Sequence, residues 1–348
     1  YIKVDTVALA SLGGSVAIIS LLIRPVSGVI TDRINTKLIY TASMFLLFVS
    51  YLGFAFCHDY FWLYFFQILR GFSWTFFNVA GQCTAADISE NGKLGQTVSV
   101  YMLGASIANI LSGYMSLSFV NTFGYRINFI FASCITLLGC IFSLFLKIKN
   151  YAKPDNKRKI TFNNIITVNV IPIAAMAFIF QIFVMAFGGG FVTDFSRREL
   201  NIANAGIFMM ITGTVGAVSK IFYGRLYDKK GFNFVITSCL VGIAAAAAVM
   251  CFVKGYFQLY TAAFIAGIFT SGPQAALQAE AVKRAEDGNI GAATSTRSIG
   301  NDLGYMAGSI FMAFFVDAFG SYRFSYIGIF VLCILSIVLY RFILQRRH

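Results

Sequence analysis

Charge is scarce in this chain. Only 12% of its 348 residues are charged, 58% are hydrophobic and the mean hydropathy is +0.76, a balance that no soluble domain could bury. Histidine is scarcer still, with His58 and His348 alone, and no GxxxxGK[ST] phosphate loop occurs. Enzymatic readings are left with little to work on. The seven cysteines stand singly in apolar surroundings, with no CxxC and no partner at metal spacing, so they read as small packing residues, and neither metal nor cofactor is expected. Gly188, Gly189 and Gly190 precede no strand-helix unit and read as a hinge or packing feature.

What is abundant is apolar sequence in stretches of about 20 residues, the length a hydrocarbon core demands of a helix. The pattern predicts helices over 7–30, 38–57, 60–86, 96–118, 125–146, 164–190, 203–225, 232–252, 256–279, 291–315 and 322–343. That makes eleven spans of an all-α membrane protein. A net charge of +13 would suggest nucleic acid in a soluble protein, but here the basic residues lie between the apolar stretches, where they orient the spans. The lipid bilayer, not nucleic acid, is the expected partner. The long basic stretch at 147–160 divides the chain into an N-terminal half, 1–146, and a C-terminal half, 161–348. With that stretch as a cytoplasmic loop, the few basic residues left outside are Lys3, Arg126, Arg197, Arg198, Lys254 and Arg323. The C-terminus is then cytoplasmic too.

Sliding the chain against itself reveals a repeat with a constant offset of 196 residues. Arg24, Gly28 and Asp32 fall on Lys220, Gly224 and Asp228. Tyr60, Phe61, Leu63 and Tyr64 fall on Tyr256, Phe257, Leu259 and Tyr260. Gly71, Gly95, Gly104 and Gly124 meet Gly267, Gly291, Gly300 and Gly320 at the same offset. Two parallel halves joined by a basic loop imply pseudo-symmetry about an axis along the membrane normal. The span at 164–190 has its counterpart before Tyr1, so the repeat predicts a further, twelfth span there.

Between the first two spans, Gly28-Val-Ile-Thr-Asp32-Arg33-Ile-Asn-Thr-Lys37 is similar to the loop signature G-x-L-x-D-R-x-G-R-K of the major facilitator superfamily, with Asn35 and Thr36 in place of glycine and arginine. Gly224-Arg-Leu-Tyr-Asp228-Lys229-Lys230-Gly231 repeats it. The resemblance implies the facilitator fold, two pseudo-symmetric helical halves. It also implies a conformational latch built on Gly28, Asp32, Arg33, Lys37, Gly224, Asp228 and Lys229; topology-setting charges are the alternative reading. Arg24-Pro-Val-Ser-Gly28, Gly291-Ala-Ala-Thr-Ser-Thr and Asp302-Leu-Gly304 resemble the bacterial twelve-span drug:proton antiporter branch. The exporters' Gly-Pro pair is replaced by Ala108 and Asn109.

Arg70-Gly71, with Asp87 beyond, resembles the family's arginine signature of the fourth helix. A guanidinium at membrane depth must face a cavity or a carboxylate. Arg70 is therefore assigned to proton coupling or substrate binding, with a structural pair as the alternative. Asp302 lies deep in its predicted helix, and its repeat partner is the uncharged Ser106. Such a carboxylate can accept a proton from one side and release it to the other, which makes Asp302 the candidate proton carrier, with pairing to Arg297 or Arg70 as the rival. Arg24 and Lys220, at equivalent places, either snorkel or meet an anionic substrate. Trp74, Asn78, Asn109, Gln181, Gln274 and Asn301, with Phe187, complete a candidate substrate cavity; interhelical hydrogen bonding is the alternative for each amide. The sequence predicts a monomeric, proton-coupled exporter of small drug-like or amphipathic molecules in the cell membrane. An importer of a polar or anionic nutrient, or a non-transporting membrane protein, stands as the alternative.

Overall fold

The computed structural model describes residues 6–90, 92–146, 166–202, 206–285 and 289–340; for 6–17, 109, 112–118, 121, 189 and 190 it describes the backbone alone. Ten α-helices form there, and no strand does among the described residues. They are α1 (Thr6–Arg33), α2 (Thr36–Phe56), α3 (Tyr60–Asp87), α4 (Leu94–Leu144), α5 (Ile171–Ala186), α6 (Gly189–Glu199), α7 (Gly206–Cys251), α8 (Tyr256–Lys283), α9 (Ile290–Phe319) and α10 (Tyr322–Leu339). The basic stretch at 147–160 lies outside the described residues.

A straight helix of 51 residues, the length of α4, would run about 77 Å, far more than a bilayer. Glycine resolves this. Gly124 (φ 81°) breaks α4, and Gly231 (φ 79°) breaks α7, each in a conformation that favours a residue without a Cβ. Counting each broken helix as two rods, and α5 with α6 as one interrupted span, the described residues hold the eleven spans the pattern predicts. By length and composition, six helical stretches could each cross a membrane: Thr36–Phe56, Thr122–Leu144, Val168–Glu199, Gly206–Cys251, Ile290–Phe319 and Tyr322–Leu339. The 28-residue helices α1, α3 and α8 are also about 42 Å long, and carry Arg24, Arg70 and Glu280 within them.

Some predicted boundaries move. The span expected over 164–190 is interrupted at Gly188, and α6 continues for 11 residues beyond it. Consecutive glycines weaken a helix by about 1 kcal/mol each, which explains an interruption that apolar periodicity alone could not locate. The helix expected to stop at 279 runs on to Lys283.

The chain gathers into two compact units that do not follow the sequence halves. Unit 1 comprises Tyr1–Ile88, Leu111–Ile171 and Arg284–Ile299; unit 2 comprises Ser89–Ile110, Pro172–Lys283 and Gly300–His348. Each sequence half thus lends a segment to the other's unit. In unit 1, Ile39, Phe76 and Ala80 form a buried cluster under Ile23, Ile30 and Tyr40. In unit 2, Phe180, Phe183, Phe195, Ile236, Leu240 and Tyr326 are fully buried. Where α5 ends, the Tyr326 hydroxyl donates to the Ala186 carbonyl (3.2 Å), answering an acceptor left without a helical partner. Glu199, ending α6, accepts from the Ser321 hydroxyl and the Tyr322 amide and lies 3.4 Å from Arg323, tying α6 to the start of α10. Outward-facing residues include Phe257, 83% exposed, and Phe61, Phe145 and Phe252. Lipid tails, rather than water, suit that surface.

Candidate functional site

The loop-signature aspartates end in matching geometries. In unit 1, Asp32 accepts from the amides of Gly291 (2.5 Å) and Ala292 (2.8 Å), one on each carboxylate oxygen. These amides belong to the first turn of α9, where helix geometry supplies no acceptor and the dipole favours an anion. Close approach makes this possible: a Cβ on Gly28 would lie 2.7 Å from the Gly291 carbonyl oxygen. Nearby, the Ser295 hydroxyl donates to the carbonyl of Arg24, which is only 6% exposed. In unit 2, Asp228 accepts from Gly95 and Gln96, both at 2.9 Å, in the first turn of α4. A Cβ on Gly224 would lie 2.6 Å from the Gly95 carbonyl oxygen. Gly291 and Ala292 stand 196 residues beyond Gly95 and Gln96, so the repeat extends to the receiving amides.

The basic members of the signature behave differently. Lys37 donates to the Leu144 carbonyl (2.6 Å), capping the end of α4. Arg33 is the last residue of α1, and Lys229 is exposed on α7. Asn35, which departs from the signature, caps α2 by accepting from the Lys37 amide (3.0 Å). Its counterpart Gly231 is the left-handed break in α7. In the turn before α4, Lys93 lies 2.5 Å from Glu90, and its hydrogen bond and charge hold the Glu90 carboxyl below the usual range. Both groups are exposed, where such a pair contributes little.

The second signature carries a buried pair that sequence reasoning missed. The Tyr227 hydroxyl donates to Glu280 (2.9 Å), and both residues are buried. A Cβ on Gly95 would meet the Tyr227 ring at 2.6 Å, so this tyrosine also bears on the start of α4. Glu280 lies just past the end predicted for its helix, which runs on to Lys283. Its repeat counterpart, Thr84, was the available signal.

Three predicted cavity amides come together in unit 2. Asn301 donates to Gln274 and Gln274 to Gln181, each at 3.2 Å, linking α9, α8 and α5. Glycines bring α9 close enough: a Cβ on Gly304 would lie 2.9 Å from the Cβ of Gln181, and one on Gly308 would lie 3.0 Å from Met185. Asp302, beside Asn301, is half-buried. Lys220 donates to Ser106, the repeat counterpart of Asp302. Phe187 is buried 6.0 Å from the Tyr326 ring, within the core of the unit. The side chain of Asn109 lies outside those described.

In unit 1, Arg297 donates to Gln82 (3.2 Å) and Ser298 (3.4 Å). On α3, Arg70 and Asn78 are half-buried and Trp74 is 46% exposed. Asn78 donates to the Trp74 carbonyl (3.1 Å).

The sequence profile of the Major Facilitator Superfamily matches residues 2–255 and again 173–348. The chain belongs to this superfamily. A facilitator is a transporter, not an enzyme, and carries small molecules across the membrane it spans many times. The chain is 26% identical over 261 residues to Multidrug resistance protein 2 of Bacillus subtilis, a match covering 70% of this chain and 64% of that protein. It is 22% identical over 326 residues to an uncharacterized MFS-type transporter of Methanocaldococcus jannaschii, covering 89% of this facilitator and 83% of the relative. Among solved structures, the outward conformation of the transporter FucP superposes with a TM-score of 0.77 at 13% identity, covering 98% of this chain and 91% of FucP. The human organic anion transporter TETRAN superposes at 0.80 with 14% identity, covering 97% and 86%. These likenesses establish the facilitator fold.

Proposed function

We propose that this facilitator is a proton-coupled exporter of drug-like or amphipathic molecules, working as a monomer in the cell membrane with the 147–160 loop and the C-terminus in the cytoplasm. The observation that carries the reading is Asp302, a half-buried carboxylate inside the membrane-length helix α9, next to the linked amides Asn301, Gln274 and Gln181. An intramembrane carboxylate is costly to keep, and its usual return is a proton or ion relay. The Bacillus multidrug resistance relative supports efflux.

Alternating access then has its switch in the two aspartate caps. Asp32 and Asp228 hold the first turns of α9 and α4, and a change of access breaks and remakes such caps. The functional halves are 1–146 and 161–348. Substrate contacts are proposed for Gln181, Gln274 and Asn301 in unit 2 and for Trp74 and Asn78 in unit 1. Arg24 in unit 1 and Lys220 in unit 2 are proposed as further cationic contacts.

Inverted vesicles carrying the intact protein test this with a pH-sensitive dye while lipophilic cations and small organic anions are added. Substrate-dependent collapse of the proton gradient, lost in Asp302→Asn, is the expected result. An absence of coupled proton movement across that panel overturns export by antiport. Uptake of a polar or anionic solute is the second reading, favoured by the cationic groups along α1, α3 and α7.

A further inference from the structure

Asn301, Gln274 and Gln181 are linked to one another in unit 2, whereas α3 in unit 1 carries an arginine whose Nε no described residue answers. Arg70, Trp74 and Asn78 recur at four-residue intervals and so share one side of the helix. Arg70 begins about 15 Å from the start of α3. Its Nε is buried without a hydrogen-bond partner, and no described residue gives its guanidinium an ion pair. An arginine side chain stays cationic in a protein, so the charge has to be met rather than shed. A half-buried cation with an unanswered donor at membrane depth calls for a counter-charge, and a mobile anion can supply it.

The surroundings say what kind of anion. A guanidinium offers a planar fork of donors that matches carboxylate or sulfonate oxygens two at a time. One turn along, Trp74 presents its indole, 46% exposed, with the Phe77 ring 5.9 Å away and Phe77 itself stacked 5.2 Å from Tyr40. That is an aromatic ledge beside a cation, suited to a flat apolar body with a charged edge. We infer that the Arg70, Trp74 and Asn78 face of α3 binds the transported substrate, and that this substrate is an amphipathic organic anion, an aromatic body bearing a carboxylate or sulfonate. The inference rests on the transport reading and narrows its substrate class.

Trp62 and Trp74 are the only two tryptophans, so Trp62→Phe leaves Trp74 as a built-in reporter. The full chain in detergent micelles is titrated with 4-nitrobenzoate, a flat anion that quenches indole fluorescence, and with 4-nitrobenzamide, its uncharged counterpart. Saturable quenching by the benzoate, about tenfold tighter than by the amide, is expected. Arg70→Gln, introduced into the same single-tryptophan protein, then abolishes the preference while leaving quenching by the amide unchanged. Equal quenching by both probes overturns the inference, as does a preference that survives Arg70→Gln. Should that variant lose its helical signal, Arg70→Lys carries the same test: it keeps the charge without the fork, so a reduced preference is expected and an undiminished one overturns the inference. Vesicle transport separates the two readings. A charge preference with no transport of any compound overturns the transport reading and leaves the anion site standing. Transport without charge preference overturns the anion site alone.

Discussion

Asp32 and Asp228 each place two oxygens on two main-chain amides, and hydrogen bonds to an ionised group contribute about 1.5–3 kcal/mol. Asp32→Asn keeps the size but removes the charge and one acceptor. Hydrogen exchange in the first turn of α9 should then rise by about tenfold or more, while the first turn of α4 keeps its protection. Asp228→Asn should do the reverse. Mass spectrometry of peptides over 289–296 and 93–99 reads both, and equal exchange in variant and parent would sink the assignment. The aspartates were legible because their spacing from Gly28 and Gly224 is a signature. Their receivers were not, since a main-chain donor leaves no mark in a sequence beyond the helix start it belongs to. Lys37 was legible as a cation but not as the cap of α4, because a long flexible side chain takes whichever orphan carbonyl folding brings near. The Tyr227 and Glu280 pair stayed hidden for a plainer reason, a helix end placed four residues too early.

Elements that look alike in the repeat pack differently. Gly104 and Gly300 are aligned at 196 residues, yet a Cβ on Gly300 would strike the backbone of Ala174 in α5, while one on Gly104 meets nothing within 4 Å. Gly300→Ala forces α9 off α5, an overpacking that costs about 1–3 kcal/mol. Gly104→Ala only exchanges a poor helix former for a good one, worth up to about 1 kcal/mol in its favour. Thermal unfolding in detergent should therefore fall by several degrees for the first and hold or rise for the second. A loss of equal size in both would mean that α5 and α9 are not held by close glycine packing. Sequence periodicity reports which face of a helix is small, not whether another helix occupies it. The interruption at Gly188 follows the same logic, because three glycines permit a break without dictating it.

At the scale of the molecule, the membrane class and the repeat were readable from composition and register, since both are statistical properties of the whole chain. The trading of 89–110 and 284–299 between units was not, because it depends on contacts between residues far apart in sequence. The proposed orientation has its own check. A cysteine introduced at Ala152, in the basic stretch, should react with an impermeant maleimide in inverted vesicles and stay unlabelled in intact cells; the opposite pattern would reverse the topology. The aspartate caps also have a consequence for descent. A carboxylate that reads main-chain amides recognises no side chain in the helix it grips, only a glycine that lets it come near. Halves taken from two different relatives should therefore still engage one another, provided each brings its aspartate and its glycine, which leaves the rest of each half free to diverge toward new cargo.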